Sequence, residues 1–125
     1  MIYDTDMLIW IQRGNPKAAR IIEKDSDRHL SIQAYMELLQ GARNKREQAH
    51  IKDFLWSFAF TIVPLSEDIG HRALIYVEEY ALATGLRSAD ALIAATAVES
   101  HQKLVSSNVK HFRAIKELQL HAFRP

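Results

Sequence analysis

The chain alternates short apolar runs with helical segments, and this alternation constrains its fold more than any other feature. The apolar runs predict five strands, at residues 2–3, 29–31, 58–63, 103–105 and 118–122. Strands that are joined by helices pair in parallel, and helices cover both faces of the resulting sheet. We therefore expect an α/β fold with a parallel sheet of about five strands sandwiched by helices. Run 58–63 is apolar with a β-branched end and is predicted to be a central strand.

The intervening segments predict helices at residues 7–12, 16–24, 32–43, 45–56, 66–83 and 89–100, with a further helical turn before the last strand. Three of these predicted helices have a capping residue at one end. Ser31 and Ser88 are suited to cap the helices that follow them, and Gly85 stands where a helix favours glycine at its C-terminus. At 125 residues without repeats, the chain is expected to form one domain, 1–125.

Composition excludes several classes of site. The sequence contains no cysteine, so disulfides and thiolate metal sites are excluded and any metal must take oxygen or nitrogen ligands. The formal net charge is only +1, so a nucleic-acid contact would need a local basic patch. No apolar stretch reaches membrane length and no signal peptide is recognisable, which favours a soluble, cytoplasmic protein with no membrane partner.

Two polar clusters follow predicted strands. Asp4-Thr5-Asp6 comes after the first strand, and Ser106-Ser107-Asn108 comes after the fourth. Ligands of open α/β sheets bind beyond the carboxyl ends of the strands, so both clusters are candidates for a site.

Three acids stand in apolar surroundings. Asp4 interrupts an apolar run, where an acid is costly to bury unless it is paired or binds metal; the alternative is a helix cap, for which Asp6 is the better candidate. Glu37 lies on a helix that is apolar on two sides and is expected to be buried, unless it pairs with Arg43 or Lys45. Asp90 is the only charge between residues 89 and 98, although an acid there also suits the helix dipole.

Taken together, these acids favour a site for a hard divalent cation such as Mg²⁺ or Mn²⁺. A carboxylate cluster that holds one or two such ions is the usual apparatus for phosphodiester hydrolysis.

Four stretches in the same order resemble the motifs of PIN-domain ribonucleases, in the form found in VapC-type toxins of bacterial toxin–antitoxin pairs. They are Ile2–Ile9, Ser31 through Met36-Glu37-Leu38 to Gly41, Leu86–Ala97, and Leu104 through Asn108 to Phe112. The resemblance implies a five-stranded PIN fold and a metal-dependent endoribonuclease. It carries over Asp4, Glu37 and Asp90 as catalytic metal ligands. Asn108 stands where the family often has a fourth acid, so it would give a neutral ligand and leave binding of a second ion in doubt.

The resemblance also suggests supporting residues. Asp6 is expected to compensate in part for Asn108. Ser106 stands where a threonine is usual and is able to hydrogen-bond a ligand or water. Arg87, Lys110 and Arg113 flank the third and fourth motifs and are expected to contact RNA phosphates. The basic run at 43–52 is better explained as a solvated helix face. The six histidines form no ligand pair and are interpreted as surface or structural residues, with His111 the one to test.

The implied partners are an RNA substrate, a second copy of the chain and an antitoxin whose basic side chain enters the acidic site. Trp10 and Ile11 are the predicted interface residues, whereas Phe58 and Phe60 are assigned to the core. A free-standing RNA-processing nuclease and a degenerate PIN scaffold that only binds remain as alternatives. The Asp4-x-Asp6 pattern also occurs in haloacid-dehalogenase-type phosphatases, but the later acid is missing at Asn108.

Overall fold

The computed structural model describes residues 1–125, and a five-stranded parallel sheet forms its centre. The strands are β1 (Ile2–Tyr3), β2 (His29–Ser31), β3 (Thr61–Val63), β4 (Leu104–Ser106) and β5 (Leu120–Ala122). Their order across the sheet is β3-β2-β1-β4-β5, and every neighbouring pair is parallel. The predicted α/β class and strand number are therefore confirmed.

Seven helices connect the strands: α1 (Thr5–Gln12), α2 (Pro16–Lys24), α3 (Ile32–Gln40), α4 (Lys45–Ser57), α5 (Glu67–Thr84), α6 (Ser88–Glu99) and α7 (Val109–Phe112). Local chemistry explains most of their ends. Asn15, Ser31 and Ser66 accept backbone N–H bonds at the starts of α2, α3 and α5. Gly85 ends α5 in the left-handed conformation, with φ 76°, which glycine adopts without steric cost.

The core lies around β1 and β4, at the middle of the sheet. Ile2, Tyr3, Leu104 and Val105 are fully buried. Helix α6 packs against β2, α3, α5 and α7 and buries residues on all sides, as its uniformly apolar sequence predicts. None of the helices combines the length and apolar character that a membrane span requires.

Several predicted boundaries are wrong. The third strand lies at the edge of the sheet and not at its centre. It begins at Thr61 and not at residue 58, because α4 continues to Ser57 and a turn at Ala59, with φ 53°, separates the helix from the strand. Helix α3 stops at Gln40 instead of residue 43, with Gly41 as its C-cap. Helix α6 includes Ser88, so Ser88 is not its cap; Arg87 occupies the N-cap position.

Candidate functional site

The site lies where the direction of strand order reverses. From β1 the chain adds β2 and β3 on one side of the sheet, and then crosses to place β4 and β5 on the other. A crevice outside the carboxyl ends of β1 and β4 is the expected ligand position in such a sheet. Asp4 follows β1 and Asn108 lies just beyond β4, so the topology brings the two predicted clusters together.

Asp4 is the most deeply buried acid of the site, with 6% of its surface exposed. Its backbone N–H donates to the Val105 carbonyl at 3.0 Å, which extends the β1–β4 pairing by one residue. Its carboxylate is the N-cap of α1 and accepts the Thr5 N–H at 2.8 Å. Its second oxygen accepts the Ser106 hydroxyl at 2.7 Å. Asp4 therefore takes the capping role that the sequence favoured for Asp6, and it also faces the crevice.

Asp6 lies within the first turn of α1 and does not cap it. Its Oδ2 accepts the backbone N–H of Ser107 at 2.9 Å and also accepts the Ser107 hydroxyl. Its Oδ1 is buried without a hydrogen-bond partner. A buried carboxylate oxygen without a partner is energetically costly, and a cation at this position would remove that cost.

Asp90, Asn108 and His111 form a second polar group. Asp90 Oδ2 accepts the Arg87 N–H at 3.3 Å and lies 3.0 Å from His111 Nδ1. The Asn108 side-chain nitrogen lies 2.9 Å from the same ring nitrogen, while its backbone N–H donates to Ser106 Oγ at 2.9 Å. Asn108 is thus joined to Asp4 through the Ser106 hydroxyl, and its side chain lies beside the His111–Asp90 pair.

Glu37 is half-buried and lines an open cleft of about 450 Å³. Its Oε1 accepts the Thr5 hydroxyl at 3.3 Å, which links α3 to the β1 end. The prediction of a closely packed Glu37 is therefore wrong. The alternative partner Arg43 forms its ion pair with Glu47 at 2.9 Å. Glu37 remains available to a ligand because it faces the cleft.

Burial and mutual repulsion raise the proton affinity of these acids. Burial, followed by the Asp6 charge, raises the pKa of Asp4 to about 7. Burial also raises the pKa of Asp6 and of Glu37, and the negative charge of Asp90 adds to both shifts. Buried, mutually repelling carboxylates in a crevice are typical of functional sites.

The residues fit a divalent cation by their chemistry. Every candidate side-chain ligand is an oxygen donor, as Mg²⁺ and Mn²⁺ prefer, and the orphaned Asp6 oxygen lies among them. No group of three or more acidic or histidine side chains is already arranged around one ion position. Hydrogen bonds to Ser106, Ser107 and His111 set the carboxylate orientations instead.

The three predicted RNA-contacting side chains are exposed. Arg87 lies at the α6 N-cap, three residues before Asp90, and Lys110 and Arg113 lie in and just after α7. None of the three forms a salt bridge. Each lies within three residues of Asp90 or His111 in the chain and carries positive charge that no salt bridge compensates.

Three contributors were not among the predicted site residues. Thr5, Ser107 and His111 each hydrogen-bond an acid of the site. Thr5 and Ser107 belong to the two polar clusters that follow β1 and β4. Their position in these clusters is the only feature of the local sequence that points to a role in the site. His111 lies three residues after Asn108, and its spacing on one helical turn is consistent with a shared face.

Comparison with known proteins gives a consistent result. A family model described as PIN domain matches residues 1–118. Ribonuclease VapC19 from Mycobacterium tuberculosis is 32% identical over 126 residues, which cover 94% of this chain and 96% of that protein.

Solved structures are similar over almost the whole length. A chain of a toxin–antitoxin complex from Klebsiella pneumoniae is 29% identical, with a TM-score of 0.79 and coverage of 94% of this chain and 93% of that one. A chain of VapBC2 from Rickettsia felis, bound to a DNA fragment from their promoter, has a TM-score of 0.82 at 23% identity, covering 99% and 100% of the two chains. At that identity the second likeness concerns the fold alone.

Proposed function

The chain belongs to the PIN-domain family, and on that premise we propose that residues 1–125 form a nuclease domain that cleaves RNA internally with Mg²⁺ or Mn²⁺. We further propose that it is the toxin of a toxin–antitoxin pair and acts in the cytoplasm, where its RNA substrate is found. The observation that carries the proposal is the pair of mutually repelling acids at the switch point of the sheet, the buried Asp4 and the half-buried Asp6, whose Oδ1 is buried and unpartnered. The ribonuclease name of the relative from M. tuberculosis supports the choice of substrate.

Asp4, Glu37, Asp90 and Asn108 would hold the metal. When bound, the ion supplies Lewis acidity and a water of lowered pKa for attack on phosphorus. Asp4 is held in place by Ser106, and Asp90 by the Arg87 N–H and His111. Such supporting hydrogen bonds orient ligands and raise their affinity for metal.

The remaining side chains position the substrate. Arg87, Lys110 and Arg113 are free to bind phosphate oxygens on the Asp90 side of the site, which favours any RNA sequence equally. The open cleft beside Glu37 leaves room for the RNA strand on the side of the site away from Asp90.

A cleavage assay on single-stranded RNA tests the enzyme directly. We expect internal cleavage in Mg²⁺ or Mn²⁺ and complete loss of cleavage in excess chelator, with recovery when the metal is restored. Cleavage that persists in excess chelator would contradict the metal mechanism. RNA binding without cleavage under any metal would favour the catalytically degenerate scaffold.

The partners follow from the acidic site and from exposed apolar side chains. An antitoxin arginine or lysine would form charge-assisted hydrogen bonds with the site acids and displace metal and substrate. The similarity to a chain of a toxin–antitoxin complex supports such a partner. We propose a homodimer as well. Trp10 and Ile11, the proposed interface residues, are half-buried against the core. Trp56 and Leu82 are 86% and 103% exposed and are further candidates for an interface.

Co-expression with the reading frame immediately upstream tests both partners. Expression of the chain alone is expected to arrest growth, and co-expression is expected to relieve the arrest. Light scattering of the purified complex should give a mass that contains two copies of this chain. If expression of the chain alone does not arrest growth, the free-standing RNA-processing nuclease becomes the better hypothesis. A complex that contains a single copy of this chain would contradict the homodimer.

A further inference from the structure

A basic groove of about 290 Å³ lies between α2 and the end of β5, outside the acidic site. Its charged walls are Lys17, Arg20, Lys24 and Arg124, with His121 between them. No acidic side chain lines it. This basic groove is absent from the sequence motifs described above, because its two walls are about a hundred residues apart in the chain.

The three cations of α2 share one face of the helix. They are spaced three and four residues apart, which places them in a row. All three are exposed, as is Arg124, and none forms a salt bridge. The formal net charge of the whole chain is +1, so four free cations around one groove are a local concentration and not a property of the surface in general.

Two arginines elsewhere on the surface are neutralised by acidic neighbours. Arg43, beside the Glu37 cleft, is paired with Glu47 at 2.9 Å. Arg72 is paired with Glu99 at 2.7 Å and with Glu117 at 2.8 Å. Unlike Arg43 and Arg72, the four cations of the basic groove have no acidic partner.

The groove reaches the edge of the sheet that carries the acidic site. Phe123 follows β5, and its backbone N–H donates to the Ser106 carbonyl at 2.8 Å. Arg124 is the next residue, so it leaves the sheet at the same edge as Ser106, whose hydroxyl binds Asp4. The positive surface and the acidic site are thus connected through β4 and β5.

We propose that the basic groove binds the phosphate backbone of the single-stranded RNA whose cleaved bond lies at the acidic site. This inference rests on the proposed function, and it specifies the surface along which the RNA substrate lies. The row from Lys17 to Lys24 extends about 10 Å along α2, which is long enough to contact more than one phosphate of a strand. Cations that form no salt bridge attract a polyanion irrespective of its sequence.

The test compares two double variants that remove equal charge. Lys17→Gln with Lys24→Gln neutralises the groove, and Lys103→Gln with Lys116→Gln neutralises two exposed lysines near the amino ends of β4 and β5, at the opposite edge of the sheet. Affinity for a fluorescent single-stranded RNA is measured by anisotropy in excess chelator over a range of salt concentrations, so binding is read without cleavage.

Two lost phosphate contacts should weaken binding by about 10- to 30-fold at 0.1 M salt and reduce the slope of log affinity against log salt by about 1.4. The control double variant should bind like the wild type. If both double variants bound RNA with equal affinity, the proposal that the groove binds RNA would be overturned, while the proposed nuclease function would stand. Unchanged RNA affinity with loss of the co-expressed antitoxin would also overturn it, since the groove would then be a protein-docking surface. If the wild-type protein showed no metal-dependent RNA cleavage, that result would contradict the proposed function, whatever the two double variants bind.

Discussion

Replacing Asp4 with asparagine is expected to abolish most of the RNA cleavage while leaving the protein folded. The substitution keeps the size of a fully packed side chain, but it removes the negative charge that would hold the metal beside Ser106. Loss of a residue that only supports a metal ligand typically costs about 10- to 100-fold, so loss of a ligand should exceed about 100-fold at a fixed metal concentration. Glu37→Gln and Asp90→Asn should behave in the same way.

Matched substitutions on the surface provide the control. Asp53→Asn on α4 and Glu78→Gln on α5 change exposed acids that line no part of the site. Both should retain wild-type cleavage rates. Circular dichroism should show the same helical content in all five variants. Near-normal activity of any one site variant at saturating metal would remove that residue from the proposed ligand set.

The protein in excess chelator should lose stability as the pH rises from 5 to 8. Burial and the nearby Asp6 charge raise the pKa of Asp4 from 3.8 to about 7 in the folded protein. A group with a raised folded pKa binds its proton more tightly when folded, so its contribution to stability is complete below the unfolded pKa. That contribution is lost as the pH rises through the folded pKa. The loss for Asp4 between pH 5 and pH 8 is about 2–3 kcal/mol.

Urea unfolding at several pH values measures this loss. The wild type should show a falling free energy of unfolding between pH 5 and 8, and Asp4→Asn should show a much smaller fall. Asp6 and Glu37 also have raised pKa values and account for the slope that remains in the variant. The variant should be more stable than the wild type at pH 8, because it removes one buried negative charge. A slope that is the same in both proteins would mean that Asp4 ionises freely in the folded state.

The motifs predict the candidate acids of the proposed site, but not how these acids are held. Asp4 and Asp90 are candidates because each interrupts an apolar segment, and an isolated charge in such a segment is a local property of the sequence. Which neighbour holds each acid depends on a contact between distant residues. Ser107 is 101 residues from Asp6, and His111 is 21 residues from Asp90. No pattern of a few neighbouring residues reports contacts at that separation.

By itself, the sequence determined the α/β class, the number of strands, and the helix ends that depend on a single capping residue, such as Ser31 and Gly85. These features follow from apolar periodicity and from backbone chemistry that acts within one turn. Only the tertiary structure decided that β3 is an edge strand, that Trp56 is exposed, and that α2 and β5 together form a basic groove. Those outcomes depend on which elements pack side by side, and the free energy of that packing belongs to pairs of segments far apart in the chain.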